Sequence, residues 1–214
     1  MRLRTIVGLL VTVAALAAAI AALPAGAQDD GGEKKVLKVG WEQDVQTLNP
    51  FVAQDEESFT VWALTWDLLV NFNPDDLSPA PGIAESWTVS PDKRTVTFEL
   101  IEGAEWSDGE PITSKDVKYS LEQLGGNGLI FTGYTSNITS VETPDDQTVV
   151  VKTDQPDSRV VGGLFIYMIP EHVFGKTPIK ELTKSFQPSI PMVGSGPYVV
   201  TEFNRGRIVR MERN

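Results

Sequence analysis

His172 is the single histidine of the chain, and a lone imidazole transfers protons usefully only when a nucleophile or an acid is held beside it. It lies in Pro170-Glu171-His172-Val173, directly after an apolar run, and that setting predicts a packed or exposed structural role. Gly194-Ser195-Gly196 puts a hydroxyl between two glycines, but the nucleophile elbow of a hydrolase requires G-x-S-x-G, and the residue two before Ser195 is Val193. Adjacent carboxylates occur at Asp75-Asp76 and Asp145-Asp146; both pairs sit in turn sequences, where aspartates cap their own backbone. No DxDxDG calcium loop, histidine pair or phosphate-cradling glycine loop occurs. The absence of cysteine removes thiol nucleophiles, CxxC redox sites, disulfides, cysteine-ligated zinc and a lipid-modified cysteine anchor. Asn137-Ile138-Thr139 fits a glycosylation acceptor, a triplet common by chance. These residue types predict no catalytic centre, no metal and no cofactor.

The 214 residues are 41% hydrophobic and 22% charged, a globular composition whose length suits one to two domains. A formal charge of −11 argues against nucleic acid as a partner, because that binding depends on Lys and Arg neutralising phosphates. Met1-Arg2-Leu3-Arg4 is basic, Ile6 to Leu23 is apolar, and Pro24 is followed by Ala25-Gly26-Ala27, small residues at the positions a signal peptidase accepts. Residues 1–27 are therefore read as an export signal cleaved before Gln28, the rival being an uncleaved anchor near the roughly 18-residue minimum for spanning a bilayer. Loss of Arg2 and Arg4 makes the exported chain two units more negative.

Residues 28–35 read as a flexible polar tether. Val36 to Trp41 alternates as a strand would. Phe59, Trp62, Ala63, Trp66, Leu69 and Val70 recur at spacings of three and four, which predicts an amphipathic helix from the acidic start Asp55-Glu56-Glu57. Asn71 to Pro81 reads as a loop. Hairpins are expected at Glu85 to Val89 with Thr95 to Ile101, at Ile138 to Val141 with Thr148 to Lys152, and at Tyr198 to Phe203 with Arg207 to Glu212. Between the first two, Thr113-Ser114-Lys115-Asp116 forms a capping box for a helix that carries Val117, Leu121 and Leu124 and ends at Gly125-Gly126. Asn127 to Tyr134 has no periodicity; Val160 to Ile169 reads as a buried helix ended by Pro170, and Pro178 to Phe186 as a short helix.

Five ordered segments resemble the extracellular solute-binding proteins of peptide and nickel ABC importers (family 5). They are Thr47-Leu48-Asn49-Pro50 through Leu68-Leu69-Val70; Ser78 to Asp92 with Thr97-Phe98-Glu99-Leu100; Trp106-Ser107-Asp108-Gly109 with Ile112-Thr113 and Lys115-Asp116-Val117; Ile169 to Phe174; and Val193-Gly194-Ser195-Gly196-Pro197-Tyr198. The family often has Phe-His before the Asp-Gly at 108–109, and here Trp106-Ser107 stands in those places as part of a turn. The resemblance implies an α/β fold, a periplasmic-binding-protein-like lobe of type II with a mixed sheet, flanking helices and antiparallel hairpins. Residues 36–214 would form the N-terminal portion of its first lobe, since family members run to several hundred residues with a second lobe inserted after about this point.

What the family resemblance further implies is an exported, periplasmic or cell-envelope protein, monomeric when complete, that captures a peptide or similar solute between two lobes and delivers it to an ABC permease without catalysis. The loop Asp44 to Asn49 leaves the first expected strand at its C-terminal end, the usual ligand edge of α/β sheets, and related proteins place this segment beside the cleft. Asp44, Thr47, Leu48 and Asn49 are thus candidate ligand contacts, with Asp44 pairing a ligand amine; Phe131, Tyr134, Gly194 and Ser195 lie in loops that could line the same cleft. Two other classes compete: an exported hydrolase without its catalytic half, and an envelope interaction module, which would show exposed hydrophobic patches rather than a cleft.

Overall fold

The computed structural model describes residues 35–214. The expected signal 1–27 and all but the last residue of the expected tether 28–35 lie outside the described residues. The chain divides into two units, Met1–Gly40 and Trp41–Asn214. In the first, residues 35–40 are exposed and carry no regular secondary structure, which corrects the strand expected over Val36 to Trp41. Alternation gives a segment two faces, but a strand exists through its ladder of backbone hydrogen bonds, and no strand among the described residues pairs with this one.

The second unit begins with a loop whose Val45, Leu48 and Phe51 are buried. Asn49, also fully buried, pins that loop: its Nδ2 donates to the carbonyls of Leu182 at 2.8 Å and Phe186 at 3.0 Å, and its Oδ1 accepts from the Phe51 N–H at 3.0 Å. Helix α1 spans Glu56–Thr65. Asp55 caps it, Oδ1 accepting from the Ser58 N–H at 2.9 Å, and Glu56 and Glu57 face the positive end of its dipole. The helix stops short of the Val70 that the spacing predicts. From Trp66 the backbone is extended, because neighbouring segments claim its groups: Gly196 N–H donates to the Thr65 carbonyl, Met168 to Asp67, Ile83 to Leu68 and Ala84 to Leu69. Strand β1 (Val70–Phe72) then pairs antiparallel with β2 (Pro79–Pro81) inside the stretch read as loop.

The central sheet takes its strands from the first two expected hairpins, β3 (Ala84–Val89) with β4 (Thr95–Leu100) and β5 (Ile138–Glu142) with β6 (Thr148–Thr153). Its order is β3-β4-β6-β5, so β4 and β6 join the two hairpins, with Val96 opposite Val151 and Phe98 opposite Val149. Those four side chains are buried on one face, as period-two alternation requires. The third hairpin forms as β7 (Tyr198–Asn204) and β8 (Ile208–Arg213), with Gly206 at φ +76° in its turn. Every pairing of named strands is antiparallel.

Helix α2 (Ser114–Tyr119) starts at the expected box, the Asp116 carboxylate accepting from the Thr113 N–H at 2.8 Å. It continues as a π-helix over Ser120–Leu124 and a last helical turn at Gly125–Asn127, ending one residue past the expected Gly125-Gly126. Ser120 marks the change: its Oγ donates to the Asp116 carbonyl at 2.7 Å and accepts from the Ile169 N–H at 2.8 Å, drawing the helix against the 164–170 segment. That segment corrects another expectation. The run Val160 to Ile169 is helical only over Arg159–Gly162; Gly163 ends the turn, and the chain continues extended with Tyr167 bridged to Leu68. Pro178 to Phe186 keeps one helical turn, Ile179–Leu182.

Candidate functional site

The segment that follows the π-helix, the extended segment after Gly163, and the first turn of α1 with the extended stretch beyond it converge on a partly open cavity of about 420 Å³. Phe59, Leu68, Ile130, Phe131, Tyr134, Phe165 and Tyr167 line it. The inner wall is a set of packed rings. Phe59 meets Trp62 edge-on at 5.0 Å, Trp62 meets Tyr167 at 6.2 Å, and Phe59 meets Phe131 at 6.3 Å. At the mouth, Phe165 stacks on Phe72 at 5.0 Å and 20°, with Tyr134 edge-on at 6.0 Å. Phe131 is fully buried, whereas Phe165 is 48% exposed. Burial pushes the Tyr167 phenol above its usual value, so it is a neutral donor at physiological pH.

The segment that supplies Ile130, Phe131 and Tyr134 is fastened at both ends, and Tyr134, expected in a loop, lies in a helical turn at Thr132–Thr135. A Cβ on Gly128 would lie 2.7 Å from the Leu124 carbonyl, so only glycine lets the chain turn this closely off the π-helix. The Leu129 N–H donates to the Phe51 carbonyl, and Thr135 Oγ1 donates to the Gly125 carbonyl at 2.9 Å. On the far side, Arg159 reaches the Gly133 carbonyl with Nη1 while its Nη2 and Nε hold the Asp157 carboxylate at 2.6 and 3.0 Å. Asn137 Nδ2 donates to the same carboxylate at 3.1 Å.

The hydrogen bonds from Arg159 pull the Asp157 carboxyl down to about 2. A carboxylate depressed in the folded state stabilises it above the unfolded value near 3.8, and that contribution is lost as pH falls through about 2. Because the Arg159 side chain is 43% exposed, water screens the pair and the expected contribution is about 1 kcal/mol. Asp157→Asn should therefore cost about 1 kcal/mol at pH 7 and flatten the stability profile between pH 4 and 2, read by urea denaturation at a series of pH values.

Of the residues nominated from sequence, Phe131 and Tyr134 meet in this cavity; Asp44, Thr47, Leu48, Asn49, Gly194 and Ser195 are not among its lining residues. Leu48 is core, and Thr47 Oγ1 accepts from the Asn49 N–H at 3.0 Å. The Asp44 carboxylate lies 3.7 Å from Nε of Arg205, which also bonds Gln46, so this acid already faces a cation of its own chain. Gly194 exchanges hydrogen bonds with Ser107, its carbonyl accepting at 2.9 Å and its N–H donating to Oγ at 3.0 Å. Ser195 Oγ accepts from the Asp67 N–H at 2.9 Å. Phe59, Leu68, Ile130, Phe165 and Tyr167 are the lining residues that sequence reasoning missed. A signal existed for two of them: Leu164, Ile166 and Met168 are buried while Phe165 is exposed and Tyr167 half-buried, a period of two inside a run read at helical period.

The side chains with potential for chemistry have structural partners. His172 Nε2 lies 2.9 Å from an Asp108 oxygen and joins the short helix Glu171–Phe174 to the turn at Gly109. Asp76 accepts from the Ser78 N–H and hydroxyl, and Asp145 from the N–H groups of Gln147 and Thr148. Among the described residues no group of three His, Asp or Glu is placed to hold a metal ion.

Residues 78–214 match the family profile described as bacterial extracellular solute-binding proteins, family 5 Middle. A Brucella ovis protein that carries the name of an ABC transporter peptide-binding protein is 35% identical over 171 residues, covering 78% of this chain and 32% of its own. A Deinococcus radiodurans protein named a probable ABC transporter-binding protein is 33% identical over 190 residues, covering 80% of this chain and 31% of its own. In structure, NikZ from Campylobacter jejuni, solved with Ni(L-His), superposes with a TM-score of 0.68 at 26% identity, covering 81% of this chain and 34% of NikZ. The chain thus spans about a third of the length of the relatives it matches.

Proposed function

Because the chain belongs to the bacterial extracellular solute-binding proteins of family 5, we propose that it forms part of the capture component of an ABC importer and that the aromatic cavity is part of its ligand wall. The observation that carries this reading is the cavity itself, whose size falls within the roughly 300–1,000 Å³ of small-molecule sites and whose rings are packed against one another and against Trp62 and Phe72. The solute is a peptide, a reading supported by the name carried by the Brucella relative. In this reading the protein captures a solute without catalysis, which agrees with His172 being engaged by Asp108 and with Asp76 and Asp145 accepting from N–H groups of their own turns.

In this reading residues 36–214 belong to the first lobe, a second lobe supplies the opposite wall, and hinge closure reports occupancy to a membrane permease. The protein acts outside the cytoplasm as a monomer. An extended peptide held through its backbone would leave its side chains to walls such as this one. One wall buries about half of a ligand, so the 214-residue chain should retain tripeptides with saturation only in the millimolar range. Equilibrium dialysis against a tripeptide mixture, with mass spectrometry of the retained fraction, measures this. Retention of no peptide up to roughly 10 mM, equivalent to less than about 3 kcal/mol of binding, would remove the peptide reading.

A further inference from the structure

We propose that Phe165 and Tyr134 select an uncharged aromatic or branched side chain of the ligand and refuse a charged one. This rests on the cavity being ligand wall and adds the class of group it takes.

All seven lining residues are without formal charge, and the two phenols of Tyr134 and Tyr167 are their only polar side-chain groups. A cationic or anionic side chain entering here would leave water without gaining a counter-charge from the lining, which is unfavourable by far more than a neutral hydrogen bond returns. A ring or branched aliphatic group loses little on leaving water and gains contact with the aromatic wall. The chain's charge of −11 draws cations toward the surface at long range, but the acid nominated from sequence to hold one, Asp44, is paired with Arg205 and does not line the cavity.

Phe165 is placed to make the choice. One side of its ring rests on Phe72 at 5.0 Å, Tyr134 meets it at 62°, and 48% of the residue is left open at the cavity mouth. A large apolar ring supported from behind and open in front is a stacking platform. Its angle is set by Phe72, which lies in β1 outside the lining, so the platform is positioned before any ligand arrives.

The test titrates the isotope-labelled 214-residue chain with four probes, N-acetyl-phenylalaninamide, N-acetyl-leucinamide, N-acetyl-lysinamide and N-acetyl-aspartamide with a free side-chain carboxylate. The phenylalanine and leucine probes should shift the amides of residues 130–134 and 164–167 at least about tenfold more tightly than the charged pair. Phe165→Leu, which keeps apolar bulk and leaves the fold readable from the same spectra, should weaken the phenylalanine probe by roughly three- to tenfold and the leucine probe by less. Lysine or aspartate probes binding these segments as tightly as the neutral ones would overturn the proposal, as would a Phe165→Leu chain with unchanged affinity for the ring. Retention of tripeptides without preference for neutral side chains overturns the selectivity and leaves peptide capture standing; selective probe binding with no tripeptide retained does the reverse.

Discussion

Gly194→Ala should lower the stability of the chain by about 3 kcal/mol or more, as a fall in the urea midpoint with unchanged slope. A Cβ at this position would sit 2.3 Å from the Thr65 carbonyl oxygen and 2.9 Å from Thr65 Cγ2. The first obstacle is backbone at the end of α1, so no rotamer change relieves it, and either the helix end or the 192–196 segment must move. Movement would disturb the Trp66 Nε1 bond to the Val193 carbonyl at 2.9 Å, the Gly196 N–H bond to Thr65 at 2.8 Å and the exchange with Ser107. A substitution costing less than about 1 kcal/mol would show that the segments are not in this close register.

Asn49→Ala should cost about 3 kcal/mol, since it strands the Leu182 and Phe186 carbonyls and the Phe51 N–H, and each buried group left unpaired costs about 1–3 kcal/mol. Asn49→Asp is a sharper version. It keeps an acceptor for Phe51 but turns a carboxylate oxygen toward two carbonyl oxygens, so it should be at least as damaging at neutral pH and partly relieved in acid, where the carboxyl can donate once. Denaturation of both variants at pH 7 and pH 4 separates the outcomes; equal loss at both pH values for the aspartate would contradict the donor role assigned to Nδ2.

Local chemistry made the hairpins legible. Alternation in Val96, Phe98 and Leu100, the turns at Pro144-Asp145-Asp146 and Asn204-Arg205-Gly206, and the capping box at Thr113 to Asp116 each act within a few residues, and each is present. The α/β class and the family were legible for a different reason: five ordered segments agree with one known pattern. What stayed hidden depends on distant partners. The end of α1 is set by backbone bonds from residues 83, 84, 168 and 196, none of which leaves a mark near Thr65. Val36 to Trp41 shows the converse, a strand-like pattern with no ladder among the described residues. The cavity combines both difficulties, since its lining comes from three separate stretches and two of its rings, Phe165 and Tyr167, look apolar enough to be core.

The strand order β3-β4-β6-β5 also constrains how the molecule comes into being. Each hairpin closes on its own short turn, an event on the scale of about 1–10 μs for such units. The β4–β6 seam, from Thr95 opposite Lys152 to Glu99 opposite Thr148, must instead enclose everything between them, including α2, its π-helical extension and the segment that carries Ile130, Phe131 and Tyr134. Contacts of such sequence separation form late, because the entropy of the enclosed chain is lost before the seam returns any free energy. The aromatic wall is long-range in the same sense, because Ile130, Phe131 and Tyr134 come from the enclosed stretch and Phe59, Leu68, Phe165 and Tyr167 from the chain on either side of it. Until contacts of this span close, rings such as Phe131, whose partners Phe59 and Trp62 lie about 70 residues earlier, stand uncovered, the condition in which partly folded chains associate.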